Sequence, residues 1–250
     1  MVKISFRSSD GVKLVGILEK PKLKTKTCII VCHGRTGNKN EKGLVLFANS
    51  LINVGFAIFR FDFRSHGESG GRDRDMTVAG EEKDLKAAYR LLLKKGYNRF
   101  GIAAASFAGA PASFFTPKHQ AKVKALALLF PRLDFIGYYR KWIGSGERRL
   151  LDKQGFINMD NRFKGGKRLF DEALRIKPVK ELAKLKIPIL FVHGDKDSSV
   201  PYADSVKYSK KLKAKLVTIK GGDHLWLEDD RKRLSQVIKA TAGFFLENLS

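Results

Sequence analysis

Cysteine is nearly absent: there are two in 250 residues, and both fall in one stretch, Cys28-Ile-Ile-Val-Cys32. That stretch reads as a buried strand, in which four residues span roughly 13 Å, about twice the Cα separation a disulfide permits. A disulfide framework is therefore excluded. No histidine or acid stands at ligand spacing, so the pair reads as reduced packing residues. Long apolar runs are also missing. No segment approaches the ~20 residues of a membrane helix, and the opening Met1-Val-Lys-Ile-Ser-Phe-Arg7 lacks the apolar core of a signal peptide. A soluble, cytoplasmic protein without a membrane span is expected. Repeats, low-complexity tracts and the G-x-x-x-x-G-K phosphate loop are absent, and no cluster calls for a metal or an organic cofactor.

Acid is scarce as well, with 25 Asp and Glu against 49 Lys and Arg, a net charge of +24. Such a surface attracts polyanions. The basic residues are nevertheless spread from Lys3 to Lys239, with no arginine-rich tail and no nucleic-acid motif. They read as solvated faces, so no specific nucleic-acid partner is expected. At 43% hydrophobic content the chain can bury an ordinary core, and residues 1–250 are expected to form one domain.

What is present is an alternation of strands and helices. Residues 2–8 and 12–19 are β-prone runs joined through Asp10-Gly11, a hairpin signal. Strands are then predicted over 27–33, 56–62, 100–105, 123–130, 187–192 and 215–219. Helices are predicted over 40–53, 78–95, just after Ser106, over 202–212 and over 231–249. The fold class is α/β, a mainly parallel sheet of eight strands between helices, opened by an antiparallel hairpin. Residues 132–186 break the rhythm. They show no convincing strand and carry Phe135, Tyr138, Tyr139, Trp142 and Phe156, which predicts a helical cap inserted after the sixth strand.

The chemistry gathers at strand ends. Phe100-Gly-Ile-Ala-Ala-Ala-Ser106-Phe-Ala-Gly-Ala110 reads as strand, sharp turn, helix, with Ser106 on the turn and small residues, Ala104 and Ala108, two places to either side. Alone, such a serine is more often an ordinary helix N-cap. Downstream, Phe191-Val-His-Gly-Asp195-Lys-Asp197 and Gly221-Gly-Asp-His224 leave later strands, and in an open α/β sheet sites form at those carboxyl ends. A serine nucleophile needs a base for its proton and a carboxylate to orient that base, and both are supplied.

Five features recur in a known order. They are His33-Gly34 after the third strand, Asp62-x-Arg64-x-His66-Gly67-x-Ser69, the elbow at Ser106, Gly194-x-x-Asp197 with Val200-Pro201, and Gly222-x-His224. Across nearly its whole length the chain resembles the α/β-hydrolase fold superfamily, in particular small cap-bearing serine esterases such as cinnamoyl and feruloyl esterases and monoglyceride lipases. The resemblance implies Ser106 as nucleophile, His224 as general base and Asp197 as its orienter, with Asp195 a competing acid. It implies an oxyanion hole from the backbone N–H groups of Phe107 and Arg35. Arg35 is unusual there; its guanidinium either favours an acidic acyl or alcohol group or points to solvent. Tyr138, Tyr139 and Trp142 are expected to line an acyl or aryl pocket. His33 and His66 are expected to brace loops, His193 merely precedes the acid loop, and His119 is expected to be exposed. The implied activity is a carboxylesterase that needs no cofactor, acts on small to medium esters and is compatible with a homodimer. Thioesterases, serine peptidases and acyltransferases share the triad, and a non-catalytic polyanion binder is the rival from another class.

Overall fold

Ser8 donates its backbone N–H to Val12 O at 2.9 Å, and the chain turns there from β1 (Val2–Arg7) into the antiparallel β2 (Lys13–Glu19). The computed structural model describes residues 1–160, 163–224 and 230–249. After β3 (Thr27–Cys32) the chain runs through α1 (Lys42–Asn53), β4 (Ala57–Asp62), α2 (Val78–Lys94), β5 (Arg99–Ala105), α3 (Gly109–Phe115) and β6 (Val123–Leu129). It then crosses α4 (Phe135–Trp142), α5 (Ser145–Gln154), β7 (Phe156–Asp160), β8 (Phe163–Gly166), α6 (Lys167–Ala173) and α7 (Pro178–Leu182). It returns to the sheet as β9 (Ile189–Gly194), α8 (Tyr202–Leu212), β10 (Lys215–Ile219) and α9 (Arg231–Leu249).

Among the described residues, eight strands form one sheet in the order β1-β2-β4-β3-β5-β6-β9-β10. β2 is antiparallel to both β1 and β4, and every other neighbouring pair is parallel. The unalternated apolar runs have the cause the sequence suggested, which is helices on both faces. Cys28, Ile30 and Cys32 of β3 pack into a core shared with Leu85, Ala88 and Leu92 of α2. Ile29 and Val31 face the other way, toward Leu44, Phe47 and Leu51 of α1 and Phe244 and Phe245 of α9. Each fully buried Leu, Ile, Val or Phe among them stabilises the fold by about 1.5–3 kcal/mol. Both cysteines are buried and free, and burial pushes their thiols far above the ordinary range.

The segment between β6 and β9 differs from the expectation of an all-helical cap. Its described residues hold four helices and an antiparallel hairpin, with Ile157 opposite Gly165 and Asn158 opposite Lys164. The reason is a period of two that runs only a few residues: Ile157 and Met159 are buried, while Asn158 between them is exposed. Strands this short lie within the length of an ordinary loop. The hairpin is held from outside by Lys164, whose N–H donates to Asp73 Oδ2 at 2.8 Å. Phe135, Tyr138, Ile157, Met159, Leu169 and Phe170 form a third core with Phe107 and Ala110, so the cap packs directly over the turn that carries Ser106. Glu172 of α6 ties it down further, accepting the N–H groups of Val78 (2.7 Å) and Ala79 (2.9 Å) at the start of α2.

Candidate active site

β5 ends at Ala105, and a 3-10 turn over Ser106–Ala108 leads into α3. Ser106 itself lies at φ +51°, a left-handed conformation that costs a residue with a side chain about 1–3 kcal/mol and persists only where the surroundings enforce it. The surroundings do so through close packing: Ala104 and Ala108 are fully buried, and the Arg132 N–H donates to Ser106 O at 2.9 Å. Small residues flanking the serine thus do the work expected of them. Pro111 falls in the first turn of α3, where its missing N–H leaves no bond unmade.

The acid and histidine loops meet at a pair of glycines. A β-carbon on Gly194 would stand 2.1 Å from Gly222 O, so only glycine admits the contact. Lys196 N–H donates to Gly222 O at 3.0 Å, and Ser198 donates twice to Asp223 Oδ1, from N at 2.9 Å and from Oγ at 2.8 Å. These bonds set Asp197 beside His224. Their carboxylate-to-ring distance, Oδ2 to Nδ1, is 2.8 Å, and the far nitrogen Nε2 is 2.9 Å from Ser106 Oγ. A carboxylate can only accept, so Nδ1 carries the proton and Nε2 is left to accept the serine hydroxyl.

Asp197 is fully buried, which by itself would raise its pKa. Hydrogen bonds from His193 and His224, the His224 charge and the Val200 N–H outweigh burial and hold the carboxyl far below the usual range. All four acceptor directions are filled: His193 at 3.0 Å and His224 on Oδ2, and the N–H groups of Ser199 (2.9 Å) and Val200 (2.7 Å) on Oδ1. Asp195, the competing acid, faces elsewhere. It accepts from Gly221 N at 2.6 Å and pairs with Lys220 at 3.2 Å, bracing the turn before His224.

The loop after β3 touches the nucleophile. A β-carbon on Gly34 would come within 3.0 Å of Ser106 Cβ, so the chain passes close beside the elbow just before Arg35. Phe107 N–H lies in the first turn of its helical segment, where donors have no intrahelical acceptor. Two neutral histidines brace that loop. His33 donates from Nδ1 to Gly34 O (2.8 Å) and accepts the Phe63 N–H on Nε2 (3.0 Å). His66 donates from Nδ1 to Arg64 O (2.8 Å) and accepts the Thr36 N–H on Nε2 (3.1 Å). Burial, with repulsion from His66, lowers His33 to about 3, and burial also lowers His66. Beneath them, buried Asp62 pairs with Lys39 at 2.5 Å, and Arg64 forks onto Asp84 at 2.8 and 2.9 Å.

The cap aromatics take three positions. Tyr138 is buried edge-on to Phe107, with centroids 6.0 Å apart. Trp142 lies under the Arg35 guanidinium at 5.6 Å, and Phe163 lies under it at 5.4 Å, so Arg35 faces the cap. Tyr139 turns toward α5, accepting from Arg148 at 3.3 Å. His119 is half-buried rather than exposed, stacked 4.0 Å from Phe115. Two neighbours of the site carried no recognisable sequence signal. Phe130, at φ +38°, sets its ring edge-on to His224 with centroids 5.0 Å apart, and His193 shares the Asp197 carboxylate.

A strained serine on a strand-to-helix turn, in line with a histidine and an acid from later strands, is the arrangement of one fold. A family model described as the alpha/beta hydrolase fold matches residues 27–166, and one described as TAP-like protein matches residues 171–240. The chain belongs to the α/β-hydrolase fold family. Est1E from Butyrivibrio proteoclasticus, solved with ferulic acid bound, superposes with a TM-score of 0.87 at 27% identity, covering 98% of this chain and 99% of that one. YqkD of Bacillus subtilis (strain 168) is 25% identical over 235 residues, 90% of this chain and 73% of that protein. The quorum-quenching protein AidA of Acinetobacter baumannii (strain MDR-ZJ06) is 33% identical over 111 residues, 42% of this chain and 36% of its own length. Among the described residues, no helix is long and apolar enough to cross a membrane.

Proposed function

We propose that the chain is a serine carboxylesterase acting on small to medium acyl or aryl esters. The observation that carries this reading is the unbroken hydrogen-bond line from Ser106 through His224 to Asp197. Ser106 Oγ attacks the ester carbonyl carbon while His224 Nε2 takes the hydroxyl proton, and Asp197 steadies the imidazolium that forms. The negative charge on the former carbonyl oxygen is met by the N–H groups of Phe107 and Arg35. As the tetrahedral intermediate collapses, the C–O bond to the alcohol breaks and His224 returns the proton to the leaving oxygen. Water, deprotonated by the same nitrogen, attacks the acyl-enzyme, and the acid leaves as Ser106 regains its proton.

Est1E supports the ester class, since the ferulic acid it binds is a product that hydrolysis of an aryl-acyl ester would release. The aromatic cap over Phe107 suits an acyl or aryl group of that kind. The test is fluorophosphonate labelling of the wild type and of Ser106→Ala, followed by p-nitrophenyl esters of increasing chain length beside matched thioester and amide substrates. Labelling of the wild type alone, with ester turnover falling about 10⁴-fold or more in Ser106→Ala, is expected. A folded wild type that resists labelling and turns over none of these overturns the reading.

A further inference from the structure

Parallel strands all start at one end of their sheet, and in this chain that end is set with lysine. Lys26 precedes β3, Lys95 precedes β5, Lys122 precedes β6, Lys186 precedes β9 and Lys213 precedes β10, and all five are exposed. These five strands are consecutive neighbours in the sheet, so the cations spread over about 20 Å at the usual strand spacing. The linker Lys20-Pro-Lys-Leu-Lys-Thr-Lys26 adds Lys20, Lys22 and Lys24 at the same end, because β2 finishes with Glu19 opposite Ile58 near the start of β4. It is seated on the turn after α2: Lys26 O accepts the Asn98 N–H at 3.0 Å, and the linker lines one groove with Lys95 and Gly96. Between Lys22 and Lys24, Leu23 is 83% exposed. A second groove at this end mixes Leu185, Ile187 and Leu212 with Lys211 and Lys213.

Acids are few on this face. Glu19 is held by Arg60 at 3.0 Å and Glu181 by Lys184 at 2.7 Å, which leaves Glu247 near the end of α9. Asp62, Asp195, Asp197 and Asp223 stand at the opposite end, with Ser106 and His224. Glu228 and Asp229 fall in sequence between His224 and Asp230, and both flanking residues belong to the Ser106 end, where Arg233 joins Asp230 to Lys220 O. Among the described residues, Lys20, Lys22, Lys24, Lys26 and Lys95 form no ion pair.

We propose that this end of the sheet docks on a bilayer surface rich in anionic lipid, with Leu23 entering the boundary between headgroups and acyl chains. Clustered lysines are drawn to such a surface, and an exposed apolar side chain among them adds the burial that charge alone does not supply. A broad face set with flexible point charges fits a plane of headgroups. Nucleic acid asks instead for aromatic platforms or arginine forks, and the linker Lys20–Lys26 has neither. Docked this way, Ser106 at the far end of β5 lies about 20 Å from the bound face and stays open to water. A protein with a net charge of +24 draws anions everywhere, so the face must be separated from the general field.

The experiment is co-sedimentation of the full chain with vesicles of phosphatidylcholine, alone or with about 30% phosphatidylglycerol, at about 0.1 M salt. Partitioning is expected to be about 100-fold stronger on the anionic vesicles. Replacing Lys20, Lys22, Lys24 and Lys26 together by Gln should weaken it about 100-fold, and Leu23→Ala about tenfold. Removing the same charge from the cap, with Arg140→Gln, Lys141→Gln, Arg149→Gln and Lys153→Gln combined, should change it by less than about threefold. Melting temperatures report whether each variant is folded, and Leu23→Ala, which keeps the charge intact, carries the test alone where the fourfold linker variant does not fold. Equal falls in the linker and cap variants assign the attraction to net charge and overturn the proposal. So does a wild type that ignores the anionic vesicles, or a Leu23→Ala variant that binds them as the wild type does. Tighter binding to a DNA duplex than to the vesicles, lost with the linker lysines and indifferent to Leu23, makes nucleic acid the occupant and overturns the proposal as well.

Discussion

His193 Nε2 lies 3.0 Å from Asp197 Oδ2, the same oxygen that His224 approaches at 2.8 Å. His193 is wholly buried, and its other nitrogen meets Ser205 Oγ at 2.7 Å. With a carboxylate on one side, Nε2 carries a proton and donates it to Asp197. His193 is a positioning residue, acting on the reaction only through Asp197. His193→Ala, which removes that donor, is expected to lower kcat about tenfold with little change in KM, and to slow fluorophosphonate labelling of Ser106 in proportion. A variant with lowered thermal stability but unaltered kcat per folded molecule would assign His193 to packing alone.

How much of this was legible in the chain follows from which signals are local. The Asp10-Gly11 turn, the fully apolar β3 and the α8 span Tyr202–Leu212 are set by neighbours a few residues away, and sequence and structure agree on them. Ser106, Asp197 and His224 could be placed because each follows directly on a strand end, and topology brings strand ends together. The choice of Asp197 over Asp195 could not be made from spacing. It depends on the Gly194–Gly222 contact, which aims one carboxylate at the ring and leaves the other bracing Gly221. The hairpin β7–β8 was missed because its alternation is only a few residues long, and Arg132 because nothing in Pro131-Arg132 reveals a backbone bond to Ser106.

Acid should destabilise the protein earlier than its carboxylates alone would dictate. His33 is held at about 3 and His66 is also lowered, each by burial first, while in the unfolded chain both rings take up protons near 6.5. Between those values the unfolded state binds more protons than the folded one, so stability falls as pH falls. It is full above about pH 6.5 and declines progressively toward about pH 3, with a total on the order of a few kcal/mol. Protonating either ring would also set a donor against the Phe63 or Thr36 N–H. Urea unfolding midpoints measured from pH 8 to pH 4 test this: a decline setting in near pH 6.5 is expected, and a flat profile down to pH 5 contradicts it.

Gly34→Ala tests how closely the loop after β3 is fitted to the nucleophile. The new methyl group would meet Ser106 Cβ at 3.0 Å and Oγ at 3.5 Å, so the loop must retreat by a few tenths of an ångström, carrying the Arg35 N–H with it. An oxyanion donor works only where the charge develops, and small displacements there are costly. A fall in kcat of about tenfold is expected, with labelling slowed alike and the melting temperature nearly kept. Unchanged kcat would remove Arg35 N–H from the oxyanion hole.

Glu172 caps α2 from the far side of the cap, 94 positions away from the Val78 N–H it accepts at 2.7 Å. Its second oxygen takes the Ala79 N–H at 2.9 Å, so one carboxylate satisfies two of the donors that the helix start leaves open and also meets the positive end of the helix dipole. Burial, the larger influence, nevertheless raises its pKa, with those N–H groups opposing. Glu172→Gln retains one acceptor and is expected to cost less than about 1 kcal/mol, whereas Glu172→Ala strands both donors and should cost about 1–2 kcal/mol. Because the tie joins cap to body, Glu172→Ala should also speed limited proteolysis between β6 and β9 more than elsewhere. Equal losses in the two variants would mean that the charge, rather than the acceptor oxygens, holds the cap in place.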